Sequence, residues 1–360
     1  MSFRSPRLRV GVVGATGAVG QKFVRLLDGH PWFELTTLVA SERSAGRRYR
    51  DAVRWLEPCD VPPAAAGMLV TSLEADLDVD LVFSALDATL ARAHEPRLAA
   101  RFPVISNASA FREVPDVPVV VPEVNGDHLA LARRQRFGAG YLVTVPNCSS
   151  VGLSMVLKPL LDAFGVRGVH VTTLQAASGA GYPGVPSLDL LANVVPFIAG
   201  EEDKIAREPL KILGRLTDRG VEPADLRISA HVHRVPVIDG HLLALSIGLD
   251  RRTRIDAIVD ALRSSRPTSR RPLPSAPAQD LHVFDREDFP QPRLHATLGN
   301  GMTVSVGRVR ECPILDVRLV ALVHNTMRGA AGNAILIAED LVERGMVAVR
   351  AENREAARPA

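Results

Sequence analysis

Residues 8–20, LRVGVVGATGAVG, decide the fold of the first half of the chain. The apolar run at 8–14 predicts a short buried strand, and a helix is predicted from about 19 to 28. The three glycines between them follow a GxxGxxG spacing in place of GxGxxG. Glycines at a strand-to-helix turn let the backbone approach a pyrophosphate, and the amides at the helix N-terminus bind its charge. The position of the motif favours dinucleotide binding over a tight turn that only packs.

Strands and helices alternate through the rest of the first half. Further strands are predicted at 33–39, 80–85, 102–106 and 117–122. This alternation is typical of βαβ units, and it predicts an α/β domain with a Rossmann-type parallel sheet.

The pattern changes after residue 148. A helix is predicted over 148–164, followed by longer alternating strands at 169–176, 227–235, 241–249, 302–310 and 315–323. The last two flank a stretch that is typical of an antiparallel hairpin. These elements predict an α+β domain with a mixed sheet. Residues 264–292, rich in Pro, Ser and Arg, predict a long ordered loop, and a closing helix is expected at about 328–347.

The length and composition indicate two domains. The chain has 360 residues, of which 46% are hydrophobic and 23% charged. We expect a nucleotide-binding domain at 1–147, completed by the closing helix, and a catalytic and dimerisation domain at 148–327. A frayed tail is expected at 348–360. The net charge of +3 is too weak to argue for nucleic acid.

No apolar stretch approaches the roughly 18 residues of a membrane span, and no signal-peptide pattern follows the N-terminal arginines. We therefore expect a cytoplasmic protein. The three cysteines are expected to be free thiols, because an odd and sparse set does not form a disulfide framework or a zinc site.

The end of the second predicted strand bears on the choice between NAD and NADP. Residues 40–48 read ASERSAGRR. Two hydroxyls and a guanidinium, Ser41, Ser44 and Arg43, suit a 2′-phosphate. Glu42 opposes this interpretation, and the alternative is a solvated basic loop. We predict NADP.

The stretch VPNCSS at 145–150 points to a nucleophile. Cys148 falls at the predicted start of a helix, where amides lower the pKa of a thiol and, with Asn147, hold an oxyanion. The alternative is a buried structural cysteine, which is our interpretation of Cys59 and Cys312. A thiolate beside a nicotinamide suits reduction of an acyl group through a thioester, with a histidine as acid and base.

Six motifs in order carry a resemblance to a known family. They are GATG (14–17), PNCS (146–149), QAASGAG (175–181), GEEDK (200–204), RVPVIDGH (234–241) and NTMRGAAG (325–332). Together they resemble the aspartate-semialdehyde dehydrogenases, in the branch found in archaea and fungi, over about residues 8–340. The resemblance implies a fold like that of glyceraldehyde-3-phosphate dehydrogenase, and a homodimer or homotetramer.

The resemblance also implies catalytic roles. Cys148 would carry the acyl thioester, His241 would be the acid and base, and Gln175 would orient the acyl group. The motif places the base after Asp-Gly, which selects His241 over His231 and His233.

The implied substrate is L-aspartyl-4-phosphate, reduced by NADPH to L-aspartate-4-semialdehyde. Arg234 would bind its carboxylate, and Glu201 its ammonium group. Lys204 and Arg112 would bind its phosphate. The bland alternative for Glu201 and Lys204 is a surface pair on one helix.

The cofactor contacts implied by the glycine turn, the basic loop and the resemblance form one set. They are Gly14, Thr16, Gly17, Ala18, Val19, Ser41, Arg43, Ser44, Ser84, Ser178, Gly179 and Asn325.

Three other functions remain open. A reductase of another acyl donor, such as malonyl-CoA, would not need the carboxylate of Glu201. An N-acetylglutamyl-phosphate reductase usually has a different sequence around its cysteine. A non-catalytic NADP-binding homologue is disfavoured because Cys148, His241 and Arg234 are all present.

Overall fold

Two six-stranded sheets, with helices packed on them, organise the described part of the chain. The structure is a computed structural model that describes residues 7–265 and 273–347. The predicted tail at 348–360 lies outside the described residues. Within them, no helix is both long and apolar enough to cross a membrane.

The first sheet is entirely parallel and has the strand order β3-β2-β1-β4-β5-β6. Its strands are β1 (Leu8–Val13), β2 (Phe33–Val39), β3 (Val70–Thr71), β4 (Leu81–Ser84), β5 (Pro103–Ser106) and β6 (Tyr141–Thr144). This is the order of a dinucleotide-binding fold, in which ligands lie beyond the carboxyl ends of the strands where the order reverses, between β1 and β4. The predicted Rossmann-type sheet is confirmed.

Helices connect these strands. They are α1 (Ala18–Leu27), α2 (Tyr49–Ala52), α3 (Pro63–Ala66), α4 (Ala88–Ala99) and α5 (Pro122–Asn125). On α1, Phe23 and Val24 are fully buried against the sheet, and Phe23 stacks on Phe83 with ring centroids 4.9 Å apart. The short strand at 8–13 is thus fixed between apolar layers, which positions the glycine turn that follows it.

The prediction of a strand at 117–122 is wrong. In that segment Val119 forms an isolated bridge with Thr144, and α5 begins at Pro122. Pro118 and Pro122 have no N–H to give to a ladder, so the segment cannot continue as a central strand. The sixth strand is instead β6, which the sequence analysis did not predict.

The second sheet is mixed and has the order β10-β7-β11-β14-β13-β12. Its strands are β7 (Val166–Gln175), β10 (Arg227–Arg234), β11 (His241–Leu249), β12 (Leu281–Val283), β13 (Val304–Glu311) and β14 (Val317–Val323), and β8 (Arg215–Thr217) pairs separately with β9 (Gly220–Glu222). β13 and β14 pair antiparallel, which confirms the predicted hairpin. The strand β12 lies inside the stretch predicted as a loop.

Helices in this half are α6 (Cys148–Phe164), α7 (Ser187–Leu190), α8 (Glu201–Ile212), α9 (Ile255–Arg263) and α10 (Pro292–His295). Long apolar side chains of α6, α8 and α9, such as Leu157, Ile205 and Ile258, share one core with the sheet. On the opposite face of the sheet, alternate side chains of β11 such as Leu242 and Ala244 are only partly buried or exposed.

The chain then returns to the first domain. A single π-helical turn, Met327–Ala331, precedes α11 (Gly332–Glu343). Ile335 and Leu341 of α11 join the core around β1. Arg328 is fully buried and forms an ion pair with Glu123 of α5. This return places the π-turn directly behind the first residue of α6.

Candidate active site

The glycine turn after β1 fits a close ligand. Gly14 has a φ of +78°, and a Cβ added there would lie 2.7 Å from the backbone oxygen of Ala85. The N-cap of α1 is Gly17, which brings no side-chain acceptor to the first amides of the helix. A glycine turn beside helix N-terminal amides that no side chain caps can bind a phosphate. A dinucleotide therefore fits this turn.

A cleft of about 460 Å³ runs along the carboxyl ends of the first sheet. Gly14, Thr16, Gly17 and Ser41 line it, as predicted for cofactor contacts. Ala18 instead lines a second cavity, described below.

Four other residues predicted to contact the cofactor do not line this cleft: Val19, Arg43, Ser44 and Ser84. Arg43 is exposed, whereas Ser44 is buried and donates its backbone N–H to the oxygen of Ser41, 2.8 Å away. The side chain of Ser84 is fully buried, and the next residue, Ala85, lines the cleft. The contact of Ser84 with the cofactor stays a prediction. Val19 packs partly against the core.

A second cavity of about 330 Å³ separates the two domains. Ala18 and Lys22 form one wall, and Ser178, Asp239 and Thr326 form the other. This is the side of α1 that faces the catalytic domain, so the cavity connects the cofactor turn with that domain.

Hydrogen bonds tie the loops of that catalytic wall together. Asn325 Nδ2 donates to Ser178 Oγ at 2.7 Å, and Ser178 Oγ donates to Asp239 Oδ1 at 2.8 Å. The N–H of Gly240 donates to Asn325 Oδ1 at 2.9 Å. Ser178 and Asn325 are thus brought together, as predicted for one wall of the cofactor site. Asp239, which the sequence analysis did not single out, completes the network next to His241.

Cys148 is the first residue of α6, as predicted, and it is partly exposed. Asn147 caps the helix, since its Oδ1 accepts from the amides of Ser149 at 2.9 Å and Ser150 at 3.2 Å. Gly329 of the π-turn packs behind the cysteine, and a Cβ added there would lie 2.5 Å from the Cβ of Cys148. The nucleophile is therefore held between the helix cap and the returning chain.

The expected low pKa of Cys148 is wrong for this ligand-free structure. Burial raises the pKa of the thiol to about 12, and the charge of Glu201 raises it further. The cations Arg112 and Arg234 and the amide of Ser149 act in the opposite direction but do not outweigh burial. Burial therefore favours the protonated thiol over the thiolate.

Glu201 is a buried hub beside the cysteine and not a residue of a surface pair. Its Oε1 accepts from Asn147 Nδ2 at 2.7 Å and from Gln175 Nε2 at 3.2 Å. Its Oε2 lies 3.4 Å from the half-buried Nζ of Lys204. One N–H of the Asn147 side-chain amide is bound to Glu201, so Asn147 fixes the geometry of the turn. The amide has a second N–H, and the expected contact of Asn147 with an oxyanion stays a prediction.

Glu208 is a site residue that the sequence analysis missed. Its Oε2 accepts from the N–H of Asn147 at 2.6 Å, and its Oε1 accepts from Arg112 Nη1 at 2.8 Å. Arg112 Nη2 also donates to the oxygen of Asn107, while its Nε is buried without a hydrogen-bond partner. The spacing of Glu201, Lys204 and Glu208 places all three on one face of α8, and this pattern was the available signal.

His241 and Arg234 lie together at the ends of β11 and β10. His241 is fully buried, and its Nδ1 accepts from the N–H of Ala176 at 3.0 Å. Arg234 Nη1 donates to the oxygen of Ala176 at 2.6 Å. A Cβ at Gly179 would lie 2.8 Å from Arg234 Nη1 and 3.1 Å from His241 Nε2. Burial, and then the charges of Arg234 and His324, lower the pKa of His241 to about 3.

The histidines and cysteines that were interpreted as structural differ in their burial and contacts. His231 and His233 lie on the face of β10 opposite Arg234, and the ring of His231 packs against His170. Cys312 is buried, and its Sγ accepts from the amide of Leu315 at 3.4 Å. Cys59 is exposed, so its interpretation as a buried cysteine is wrong.

A dinucleotide fold joined to a mixed-sheet half that holds a partly exposed cysteine next to buried polar side chains defines a class, that of NAD(P)-dependent oxidoreductases acting through a cysteine. The comparisons agree. The NAD-binding domain of semialdehyde dehydrogenases matches residues 9–132, and their dimerisation domain matches residues 157–328.

The particular family follows from relatives over nearly the whole chain. The aspartate-semialdehyde dehydrogenase of Archaeoglobus fulgidus is 47% identical, covering 95% of this chain and 100% of that protein. The protein of that name from Saccharomyces cerevisiae is 41% identical, covering 94% and 98%.

Solved structures agree as well. Aspartate-semialdehyde dehydrogenase with NADP from Candida albicans has a TM-score of 0.86 at 39% identity, covering 95% of this chain and 100% of that one. A Vibrio cholerae enzyme complexed with ASA has a TM-score of 0.76 at 29% identity, covering 94% and 99%. The chain belongs to the aspartate-semialdehyde dehydrogenase family.

Proposed function

We propose that this chain reduces L-aspartyl-4-phosphate to L-aspartate-4-semialdehyde with NADPH and releases phosphate. The observation that carries the proposal is the placement of Cys148 at the start of α6, where the charges of Arg112 and Arg234 act on its thiol. Among the described residues, the Nε2 atom of the buried His241 has no hydrogen-bond partner. Attack of the cysteine sulfur on the acyl phosphate gives a thioester on Cys148.

The polar groups around Cys148 suit the three charged parts of this substrate. Arg234 is assigned to the α-carboxylate, because its planar fork binds a carboxylate in two places. Glu201 is assigned to the ammonium group. Arg112 and Lys204 are assigned to the phosphate, and the buried Nε of Arg112 is an unused donor. Gln175 and His241 act on the acyl group.

The cofactor is assigned to the cleft and the interdomain cavity. The turn at Gly14 and Gly17 would hold the pyrophosphate, and Ser41 with Arg43 would receive a 2′-phosphate. Ser178 and Asn325 would line the nicotinamide side. When bound, the cofactor supplies a hydride for the acyl carbon. The assignment to NADP is supported by Ser41, which lines the cleft, and by the neighbouring guanidinium of Arg43, although Glu42 lines the same cleft.

We also propose that residues 1–147 with 328–347 act as the nucleotide domain, and residues 148–327 as the catalytic and dimerisation domain. A homodimer through the uncovered face of the mixed sheet is supported by the match of a dimerisation domain. Pairing into tetramers and a cytoplasmic location stay predictions.

The reverse reaction tests the activity. Purified protein is mixed with L-aspartate-4-semialdehyde and phosphate, with NADP or NAD in parallel, and formation of reduced nicotinamide is followed. Phosphate-dependent reduction of NADP is expected. Activity with malonate semialdehyde and coenzyme A in place of those substrates would instead identify a malonyl-CoA reductase.

Glu201 alone does not distinguish these two substrates, since its carboxylate already binds Asn147 and Gln175. It would be retained for that structural reason even with a substrate lacking an amino group. The assay is therefore run with both substrate pairs. No activity with either pair, in a protein whose Cys148 still reacts with a thiol reagent, would refute the proposal.

A further inference from the structure

The carboxylate of Glu208 binds two groups that come from different parts of the chain. Its Oε1 accepts from Arg112 Nη1 at 2.8 Å, and its Oε2 accepts from the backbone N–H of Asn147 at 2.6 Å. All three residues are buried. Arg112 follows β5, Asn147 directly precedes Cys148, and Glu208 lies on α8. One side chain therefore fixes the position of Arg112 relative to the turn that holds the cysteine.

The guanidinium of Arg112 is held on two of its three nitrogens. Its Nη1 is bound to Glu208, and its Nη2 donates to the backbone oxygen of Asn107 at 2.9 Å. Its Nε is buried and has no hydrogen-bond partner within the described ranges. A guanidinium held in this way has a fixed plane and one buried donor left to offer. An anion is the group that such a donor binds most strongly.

Other residues on the same face of α8 hold the same two segments. Lys211 Nζ donates to three backbone oxygens of the loop that carries Arg112, at 2.8 to 2.9 Å. Glu201 Oε1 accepts from Asn147 Nδ2 at 2.7 Å. Because Glu201, Glu208 and Lys211 follow a helical spacing, they lie on one face of the helix. α8 is therefore the element that holds both the Arg112 loop and the cysteine turn.

The charge of Arg112 acts on the cysteine, and Glu208 reduces it. Burial raises the pKa of the Cys148 thiol to about 12, and the charge of Arg112 acts in the opposite direction. Glu208 and Arg112 form a buried ion pair at 2.8 Å. Opposite charges at this distance partly cancel each other's field at a third group. Loss of the Glu208 charge should therefore increase the positive potential that an anion meets beside Cys148.

We propose that Glu208 is a positioning residue that fixes the phosphate-binding cation Arg112 relative to Cys148, and that it lowers the ground-state affinity for phosphate in doing so. This inference rests on the proposed function for the identity of the anion. In the reverse reaction a phosphate oxygen bonds to the acyl carbon, the carbon–sulfur bond breaks, and its electron pair stays on the sulfur. The distance between the bound phosphate and the thioester therefore affects the rate.

Kinetics of Glu208→Gln in the reverse reaction test the proposal. Glutamine has the same shape but a single acceptor oxygen, so it cannot accept from both Arg112 and Asn147. We expect kcat to fall by about 10²-fold. The KM for phosphate should fall by about tenfold, because a charge-assisted hydrogen bond no longer competes for Arg112. A wild-type kcat, or a KM for phosphate that is unchanged or raised, would overturn the proposal. A residue with only a structural role would not lower this KM.

Two further variants separate charge from position. Glu202→Gln is the matched control, because it removes the same charge from the same helix and a glutamine can still accept from the N–H of Val232. Its kcat and its KM for phosphate should equal those of the wild type. Glu208→Asp keeps the charge but withdraws the carboxylate from both donors by about 1.5 Å. It should also lower kcat, and a wild-type kcat in this variant would contradict the proposal. Circular dichroism and Tm verify that the variants are folded.

Alkylation of the ligand-free protein gives a test that needs no turnover. Iodoacetate, an anion, and iodoacetamide, which is neutral, are compared, and modification of Cys148 is measured by peptide mass spectrometry. In Glu208→Gln the ratio of the iodoacetate rate to the iodoacetamide rate should rise by about tenfold at low ionic strength, and in Glu202→Gln it should not. An unchanged ratio in Glu208→Gln would overturn the proposal. Because the ratio is independent of activity, failure of this inference is distinguished from failure of the proposed function.

Discussion

Replacing Gly329 by alanine should move the nucleophile without touching its chemistry. The added Cβ would lie 2.5 Å from the Cβ of Cys148 and 2.9 Å from its Cα. Ordinary contacts begin at 3.4 Å, so the π-turn and the start of α6 must move apart by about 0.9 Å. A misplacement of about 1 Å costs roughly 10²-fold in rate. Overpacking of a core costs typically 1–3 kcal/mol in stability.

The assay distinguishes a displaced nucleophile from weakened binding of the cofactor. We expect kcat of the phosphate-dependent reverse reaction to fall by about 10²-fold. The Kd for NADP, measured by fluorescence, distinguishes a displaced Cys148 from a displaced α1, which packs on the same π-turn. Gly67→Ala is the matched control, since a Cβ there has no atom within 4 Å. Its kcat and Tm should equal those of the wild type. Wild-type kcat and Tm in Gly329→Ala would show that the π-turn does not position Cys148, and the reasoning would fail.

Three further variants and one titration extend these expectations. Cys148→Ser should abolish turnover while NADPH affinity is retained; near-normal activity would exclude the thioester route. Because burial raises the pKa of the Cys148 thiol to about 12, alkylation of the free protein should accelerate about tenfold per pH unit up to at least pH 10, and a plateau near neutrality would contradict this. Glu123→Gln leaves the fully buried Arg328 without its partner, so the free energy of unfolding should fall by about 3 kcal/mol; Asp256→Asn, at an exposed pair, should change it by under about 1 kcal/mol. Arg234→Lys loses the planar fork, so the KM for the semialdehyde should rise more than about tenfold, and an unchanged KM would remove Arg234 from the carboxylate site.

Apolar runs bounded by glycine were sufficient to predict most of the fold. The structure has β2 at Phe33–Val39, α6 at Cys148–Phe164 and β11 at His241–Leu249, within the predicted bounds. The failure at 117–122 has a physical cause, since its four valines satisfy a strand pattern but Pro118 and Pro122 have no N–H to donate. β3 has two residues, which is too short for a periodic signal. β6 was missed although it is as long as β4 and β5, which were predicted.

The site was predicted less completely, because motifs identify groups but not their neighbours. Glu208 is four residues beyond the GEEDK motif, and its importance depends on Arg112 and Asn147, which are distant in sequence. The pKa of Cys148 was mispredicted for the same reason. A helix start can be predicted from local residues. Gly329, which packs against Cys148, and Glu201, whose charge raises the pKa of the thiol, come from distant parts of the chain.

The three cations near Cys148 differ in whether a carboxylate of the protein pairs with them. This difference affects how the site distinguishes a carboxylate from a phosphate. Lys204 and Arg112 each have a carboxylate partner, Glu201 and Glu208. Arg234 has no ion-pair partner within residues 7–265 and 273–347, and burial lowers its pKa. A buried cation without a counterion is costly, so a ligand carboxylate at Arg234 removes that cost. A phosphate at the other two cations must compete with carboxylates that are already bound. The α-carboxylate should therefore contribute most of the ground-state affinity of the substrate. The phosphate competes with Glu201 and Glu208 for its cations, so it can leave once the thioester has formed.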